Sequence, residues 1–199
     1  MKQSGLRELE AAEREHDPMV RRLWLVAAIQ AIVPRPVFLV GGSAVDLHTG
    51  SYRPTDIDLV GAVGVADRVA LIDAGFVESG GRHVKWVFSD GSAELVEFPE
   101  SRLDGTFERI TLSEDTAINV ITVESLIVDR INQATDGMSV TFDEAVRLVI
   151  AVGDRVDWAA IASELAGRPD AIYLGSIGRA RDVLVGAEME HVSEAHFRE

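Results

Sequence analysis

An α+β fold is predicted for this chain: a small mixed β-sheet flanked by helices, with an α-helical C-terminal segment. Three observations predict it. A helical pattern fills residues 5 to 33, short β-rich runs crowd residues 37 to 123, and the pattern after Thr122 is helical to the end. The division implied is a core with its N-terminal helices over 1–122 and a helical region packed on it over 123–199.

Each element has a local reason. "LRELEAAEREH" and "VRRLWLVAAIQAIV" read as two helices separated by Asp17-Pro18, where Asp17 can cap the second and Pro18 suits its first position. The strand candidates are "VFLV", "DIDLV", "HVKWVF", "AELVEF" and "AINVITV", with "VADRVALIDAG" between the second and third as a helix ending at Gly75. Asp90-Gly91 is a hairpin signal, so the strands beside it are expected to be antiparallel neighbours. Further helices are expected in "VESLIVDRINQA", in "FDEAVRLVIAVG", in "WAAIASELAG" and in "AIYLGSIGRARDVLVGAEM". Thr141 and Glu144 have capping-box spacing at the start of the second of these. Trp24, Trp86 and Trp158 stand among apolar neighbours and are expected in the core.

Composition narrows the function. A chain of 199 residues, 47% hydrophobic, is long enough to bury a real core. Its apolar runs fall short of the roughly 20 residues a bilayer span requires, and the charged N-terminus lacks the apolar centre of a secretory signal. A soluble cytoplasmic protein with no membrane partner is the expectation. With no cysteines, disulfides, thiolate zinc sites and cysteine nucleophiles are excluded. The net charge of −14 is distributed as +1 over residues 1–36, −6 over 37–110 and −9 over 111–199. Such a surface repels phosphate backbones, so broad DNA binding is not expected.

The chemistry concentrates in "FLVGGSAVDLHTGSYRPTDIDLV", residues 38 to 60. Gly41-Gly42 ends an apolar strand in a turn uncrowded by side chains, and Ser43 opens a short helix. Together they point free backbone N–H groups at one spot, an arrangement suited to phosphate. Strand alternation then places Asp56 and Asp58 on one face and Ile57 and Leu59 on the other. Two like charges side by side weaken a strand unless a cation joins them, and hard oxygen ligands suit Mg²⁺. Alone, each fragment is also what an ordinary turn or a solvated edge strand looks like.

In combination, "GGS" followed after twelve residues by "DID" resembles the signature of the DNA polymerase beta-type nucleotidyltransferase superfamily. The lead-in "RPTDIDL", with Arg53 and Thr55, looks like its small bacterial and archaeal branch of minimal nucleotidyltransferases and abortive-infection toxins. The resemblance implies a nucleotidyltransferase-type mixed sheet with both aspartates on one strand and a third carboxylate on a neighbouring strand. "LVEFP" supplies Glu97 there, where the family more often has aspartate; Glu94 is the fallback, on the opposite face. It further implies that Gly41, Gly42, Ser43 and Arg53 contact an NTP. Asp56, Asp58 and Glu97 would hold Mg²⁺ and carry catalysis by two-metal phosphoryl transfer, with Glu97 helping to activate the attacking hydroxyl.

More weakly, "NVITVESLIVDRINQA" with "FDEAVRLVIAV" is similar to the helices after the core in the toxin branch, which implies that Arg130 and Asp143 approach the nucleotide. Arg130 reads equally as an ion-pair partner of Asp129 or a nearby acid. The function implied is transfer of an NMP from an NTP to a hydroxyl acceptor on a protein, a small molecule or an RNA 3′ end. The setting implied is the toxin of a toxin–antitoxin pair with a small cognate antitoxin as partner. The alternative is a catalytically inactive nucleotide-binding or interaction module, motivated by glutamate at position 97. His83 and Lys85, two apart on one strand face and preceded by Arg82, offer positive charge to a ligand or else form the solvent face. His48 reads as a capping or packing residue, and His191 and His196 are too poorly accompanied to suggest zinc.

Overall fold

The computed structural model describes residues 5–50, 52–134, 140–166 and 175–197. It divides into two compact units, one of Met1–Leu47 with Arg53–Ile121, the other of His48–Tyr52 with Thr122–Glu199.

The first unit opens with α1 (Leu6–Arg14) and α2 (Pro18–Ile32), which pack on each other. Asp17 caps α2 by accepting from the N–H groups of Met19 and Val20, with Pro18 at the first helical position, as the sequence predicts. There follow β1 (Val37–Val40), α3 (Gly41–Thr49), β2 (Ile57–Gly61), α4 (Val65–Asp73), β3 (Val77–Glu78), β4 (His83–Val87), β5 (Ala93–Glu97), β6 (Phe107–Ser113) and β7 (Thr116–Ile121). The seven strands form one mixed sheet in the order β3-β4-β5-β2-β1-β7-β6. β2 is antiparallel to β1 and parallel to β5, β1 is parallel to β7, and the remaining pairs are antiparallel.

Alternation along the central strands decides which face is core. Ile57, Leu59, Leu39 and Val96 are fully buried, and each such side chain contributes roughly 1.5–3 kcal/mol. α2 lies against the sheet. Its Gln30 amide donates to the carbonyls of Val37 and Asn119 and accepts from the Asn119 N–H, while its Arg22 pairs with Glu94 at 2.9 Å. Glu94 therefore belongs to the α2 side of β5. Glu97, an odd number of residues away, belongs to the other side.

Two strands were not expected from the sequence. β3 has only two residues, and β6 is an edge strand whose residues are mostly exposed, so neither carries a buried apolar face. The Asp90-Gly91 hairpin forms as expected, but through a three-residue loop. Phe88 N–H bonds Ser92 O at 2.9 Å, and Gly91 takes the left-handed conformation at φ +85°. Among the tryptophans, Trp158 is buried, whereas Trp24 and Trp86 are half-buried. Trp86, on β4, packs against Phe76, and its indole N–H donates to Glu13 on α1.

The second unit contains α5 (Val123–Gln133), α6 (Val140–Val152), a 3-10 turn (Gly153–Arg155), α7 (Trp158–Ala166), α8 (Ser176–Gly186) and α9 (Glu190–His196). The expected helix over 171–189 ends instead at Gly186, and residues 171–174 lie outside the described residues. Capping by Thr141 is corrected: α6 begins at Val140, so Thr141 lies within it, and Glu144 is buried and bonded to Arg130 on α5 at 2.7 Å. No helix of the described residues is long and apolar enough to cross a membrane.

Candidate active site

The site grows out of the register of three strands in the first unit. Asp58 on β2 stands beside Glu97 on the parallel strand β5, and Val40, the last residue of β1, stands on its other side. Registered neighbours point to the same face, so Asp58 and Glu97 project together, with Asp56 two residues earlier on the same alternation. One carboxylate oxygen from each of Asp56, Asp58 and Glu97 lies within 4.8 Å of the other two, and all three residues are half-buried. At an effective dielectric of about 20, charges this close repel by roughly 3 kcal/mol per pair. The sequence tolerates this because Ile57, Leu59 and Val96 anchor the strands from the opposite face.

The glycine pair expected as a turn before the helix is instead the start of α3, which begins at Gly41 rather than at Ser43, and it lies directly against this cluster. Gly41 follows β1 with φ +64°, and a Cβ added there would collide with the Asp58 side chain, lying 2.8 Å from its Cβ. Only glycine lets the backbone come this close to the carboxylate. Ser43 is buried, and its hydroxyl donates to the Asp56 carbonyl at 2.9 Å, tying the first turn of α3 to the start of β2. Thr55 Oγ1 donates to Asp56 Oδ1 at 3.3 Å. Gly42 is half-buried and Arg53 exposed.

Positive charge reaches the cluster from β4. Arg82 Nε lies 2.6 Å from Glu97 Oε1, and its Nη1 donates to the Pro99 carbonyl at 3.1 Å. His83 is the residue registered opposite Glu97, its Nε2 3.6 Å from Glu97 Oε2. From sequence, Arg82 and His83 read either as positive charge for a ligand or as a solvent face. The signal that could have found them is the hairpin register, which depends on loop length to a single residue. Arg130 and Asp143 lie in the second unit, on α5 and α6. Arg130 is buried between Asp129 (2.6 Å) and Glu144 (2.7 Å); Asp143 is exposed in the first turn of α6. Burial alone would lower the Arg130 pKa, but the two carboxylates more than reverse that and hold it above the usual arginine value.

No protein-family model matches the chain, and no curated protein sequence is similar to it. Solved structures are similar. An antigenic nucleotidyltransferase-like protein from Paracoccidioides brasiliensis superposes with a TM-score of 0.62 at 13% identity, over 92% of this chain and 95% of that one. A presumed nucleotidyltransferase from H. pylori aligns over 98% and 97% of the two chains at 10% identity, but its TM-score of 0.48 carries no weight. The fold is thus nucleotidyltransferase-like, a mixed sheet flanked by helices, and an acidic triad able to hold a metal ion sits on it.

Proposed function

We propose that the chain is an Mg²⁺-dependent nucleotidyltransferase that moves an NMP from an NTP to a hydroxyl acceptor. The observation that carries this is the convergence of three carboxylates, from two parallel strands, against the helix start at Gly41. The donor set fits the ion: oxygen ligands only, half-open to water, of the kind Mg²⁺ shares with substrate phosphates. Asp56, Asp58 and Glu97 would hold it, where it would acidify the attacking hydroxyl and screen the departing pyrophosphate. Gly41, Gly42 and Ser43 offer backbone N–H groups to the phosphates, and Arg53 adds exposed positive charge. The acceptor oxygen bonds to the α-phosphorus while the bond to the leaving pyrophosphate breaks. Glu97 Oε2, the oxygen not held by Arg82, takes the hydroxyl proton. On the family resemblance alone, Arg130 and Asp143 are further proposed to approach the nucleotide.

The proposed setting is the toxin of a toxin–antitoxin pair, supported by the resemblance over residues 37–147. Growth arrest on expression, relieved by Asp58→Ala, is the expected sign of it. Transfer itself is tested by incubating the chain with each labelled NTP, Mg²⁺ and cell extract. Label must appear on an acceptor with the native chain and disappear with Asp58→Ala; no transfer from any nucleotide would sink the catalytic proposal. One observation favours a second reading, a nucleotide-binding module without turnover. Glu97 is already neutralised by Arg82, with His83 beside it. Mg²⁺-dependent NTP binding by calorimetry without any transfer would select that module.

A further inference from the structure

We infer that a pocket beside the triad, bounded by Arg68 and Arg82, binds a phosphate group of a small acceptor molecule. The inference rests on the proposed transfer activity for the word acceptor, and on the pocket alone for the phosphate. The cavity has a volume of about 420 Å³, and its lining includes Gly61, Gly64, Arg68, Arg82, Phe98 and Glu100. That volume falls within the range of small-molecule sites and below what a folded RNA would need.

Its position follows from the sheet. Gly61, the last residue of β2, lies three residues beyond Asp58, and Glu100 lies three residues past the end of β5 at Glu97, its carbonyl accepting from the Gly61 N–H at 3.0 Å. At roughly 3.3 Å per residue the pocket begins about 10 Å along the strands from the triad. Arg82 spans the interval, since it holds Glu97 Oε1 and also lines the cavity. Its side chain is 58% exposed, and the contacts to Glu97 and Pro99 occupy only two of its nitrogens. A guanidinium has five N–H donors, so capacity remains for a ligand.

Arg68 supplies the second observation. It lies in the first turn of α4, where the adjacent Asp67 is committed to Arg35 at 2.7 Å and to the Gly64 N–H at 2.8 Å. Arg68 has no carboxylate partner among the described residues; its guanidinium carbon sits 5.9 Å from the Phe98 ring centroid. Its Nη1 is withdrawn from solvent with no hydrogen-bond partner among those residues. A charged donor in that state is costly, and Arg68 is itself part of the pocket lining. Glu100 is the sole carboxylate in the lining, against two guanidinium groups. Arg82 is already paired with Glu97, so the cation that the pocket offers without a carboxylate partner among the described residues is Arg68. Two arginines from separate elements match phosphate better than carboxylate. A phosphate dianion offers three oxygens and two charges, whereas one arginine fork already satisfies a carboxylate.

The test titrates the full chain with inorganic phosphate, followed by amide NMR shifts around Gly61–Gly64. Phosphate is expected to bind the native chain and to bind Arg68→Gln and Arg82→Gln at least tenfold more weakly, with Arg68→Lys between. Acetate should bind at least tenfold more weakly than phosphate. Equal phosphate binding by native and Arg68→Gln chains overturns the proposal, as does equal binding of acetate. Should Arg68→Gln fail to fold, the exposed Arg82→Gln carries the comparison. Asp58→Asn separates pocket from transfer: phosphate binding unchanged in that variant leaves the pocket standing, and absence of label transfer by the native chain then sinks the transfer proposal alone. Phosphate displaced by a saturating non-hydrolysable NTP analogue with Mg²⁺ assigns the pocket to the nucleotide and overturns the acceptor role. Transfer of label to RNA alone overturns it too.

Discussion

Replacing Gly41 by alanine should disable the metal site by a route separable from ordinary destabilisation. The residue sits at φ +64°, where alanine's Cβ costs roughly 1–2 kcal/mol. That Cβ must also push aside the Asp58 carboxylate, and overpacking of this kind costs about 1–3 kcal/mol. Reduced freedom of the unfolded chain returns about 0.4–1 kcal/mol, leaving a net loss of about 1–4.6 kcal/mol. Gly80→Ala is the control. Its φ is +84° but nothing lies within 4 Å of an added Cβ, so only the backbone cost applies, about 0–1.6 kcal/mol after the same correction. Denaturant unfolding with and without Mg²⁺ reads both effects. At tenfold above its Kd, Mg²⁺ should stabilise the native chain and Gly80→Ala by about 1.4 kcal/mol and Gly41→Ala not at all. If Gly41→Ala gains as much from Mg²⁺ as the native chain, the close packing of Gly41 on the carboxylate has no bearing on the site.

Other predictions concern the charges. Arg82→Gln removes the cation that competes for Glu97, in a pair that is partly exposed and so worth about 1 kcal/mol at most; Mn²⁺ affinity should rise by up to about fivefold, and a fall would show that Arg82 positions Glu97 for the metal. Arg130→Ala leaves Glu144 buried without its partner and should cost about 3–5 kcal/mol in urea unfolding; a loss below about 1 kcal/mol would contradict the buried-pair assignment. The Asp90 carboxyl, held down to about 2 by the Ser92 hydroxyl and N–H and then by Arg21, should titrate there by NMR. Because its folded value is depressed, its contribution to the hairpin is fully present above the ordinary value near 3.8 and is lost as pH falls through about 2. A titration midpoint near 3.8 would remove that bond from the account.

Several parts of this structure could be read without coordinates because the relevant physics is local. Asp17-Pro18 names a helix start by itself, and the alternation of Asp56 and Asp58 against Ile57 and Leu59 names the two faces of β2. The pairing of Glu97 with Asp58 was anticipated from family likeness, since nothing within "LVEFP" says which strand lies beside it. What stayed hidden is non-local. A two-residue loop at Asp90-Gly91 would have placed Val84 opposite Glu97, and the three-residue loop places His83 there instead. β6 pairs only with β7 and buries little, so its pattern of charged and apolar residues announces no strand. Glu144 has the spacing of a cap on Thr141, but the tertiary partner Arg130 takes its carboxylate. The Arg82 contact to Glu97 depends on the same hairpin register, which is why the charge balance of the site emerges only from the folded chain.

Asp56, Asp58 and Glu97 are proposed to form one metal site on a nucleotidyltransferase-like sheet. Mn²⁺ binding followed by electron paramagnetic resonance tests it most directly, in the native chain and in Asp56→Asn, Asp58→Asn and Glu97→Gln. Saturable binding is expected in the native chain, weakened at least tenfold by each aspartate substitution and measurably by Glu97→Gln. Equal Mn²⁺ affinity in all four chains would contradict it.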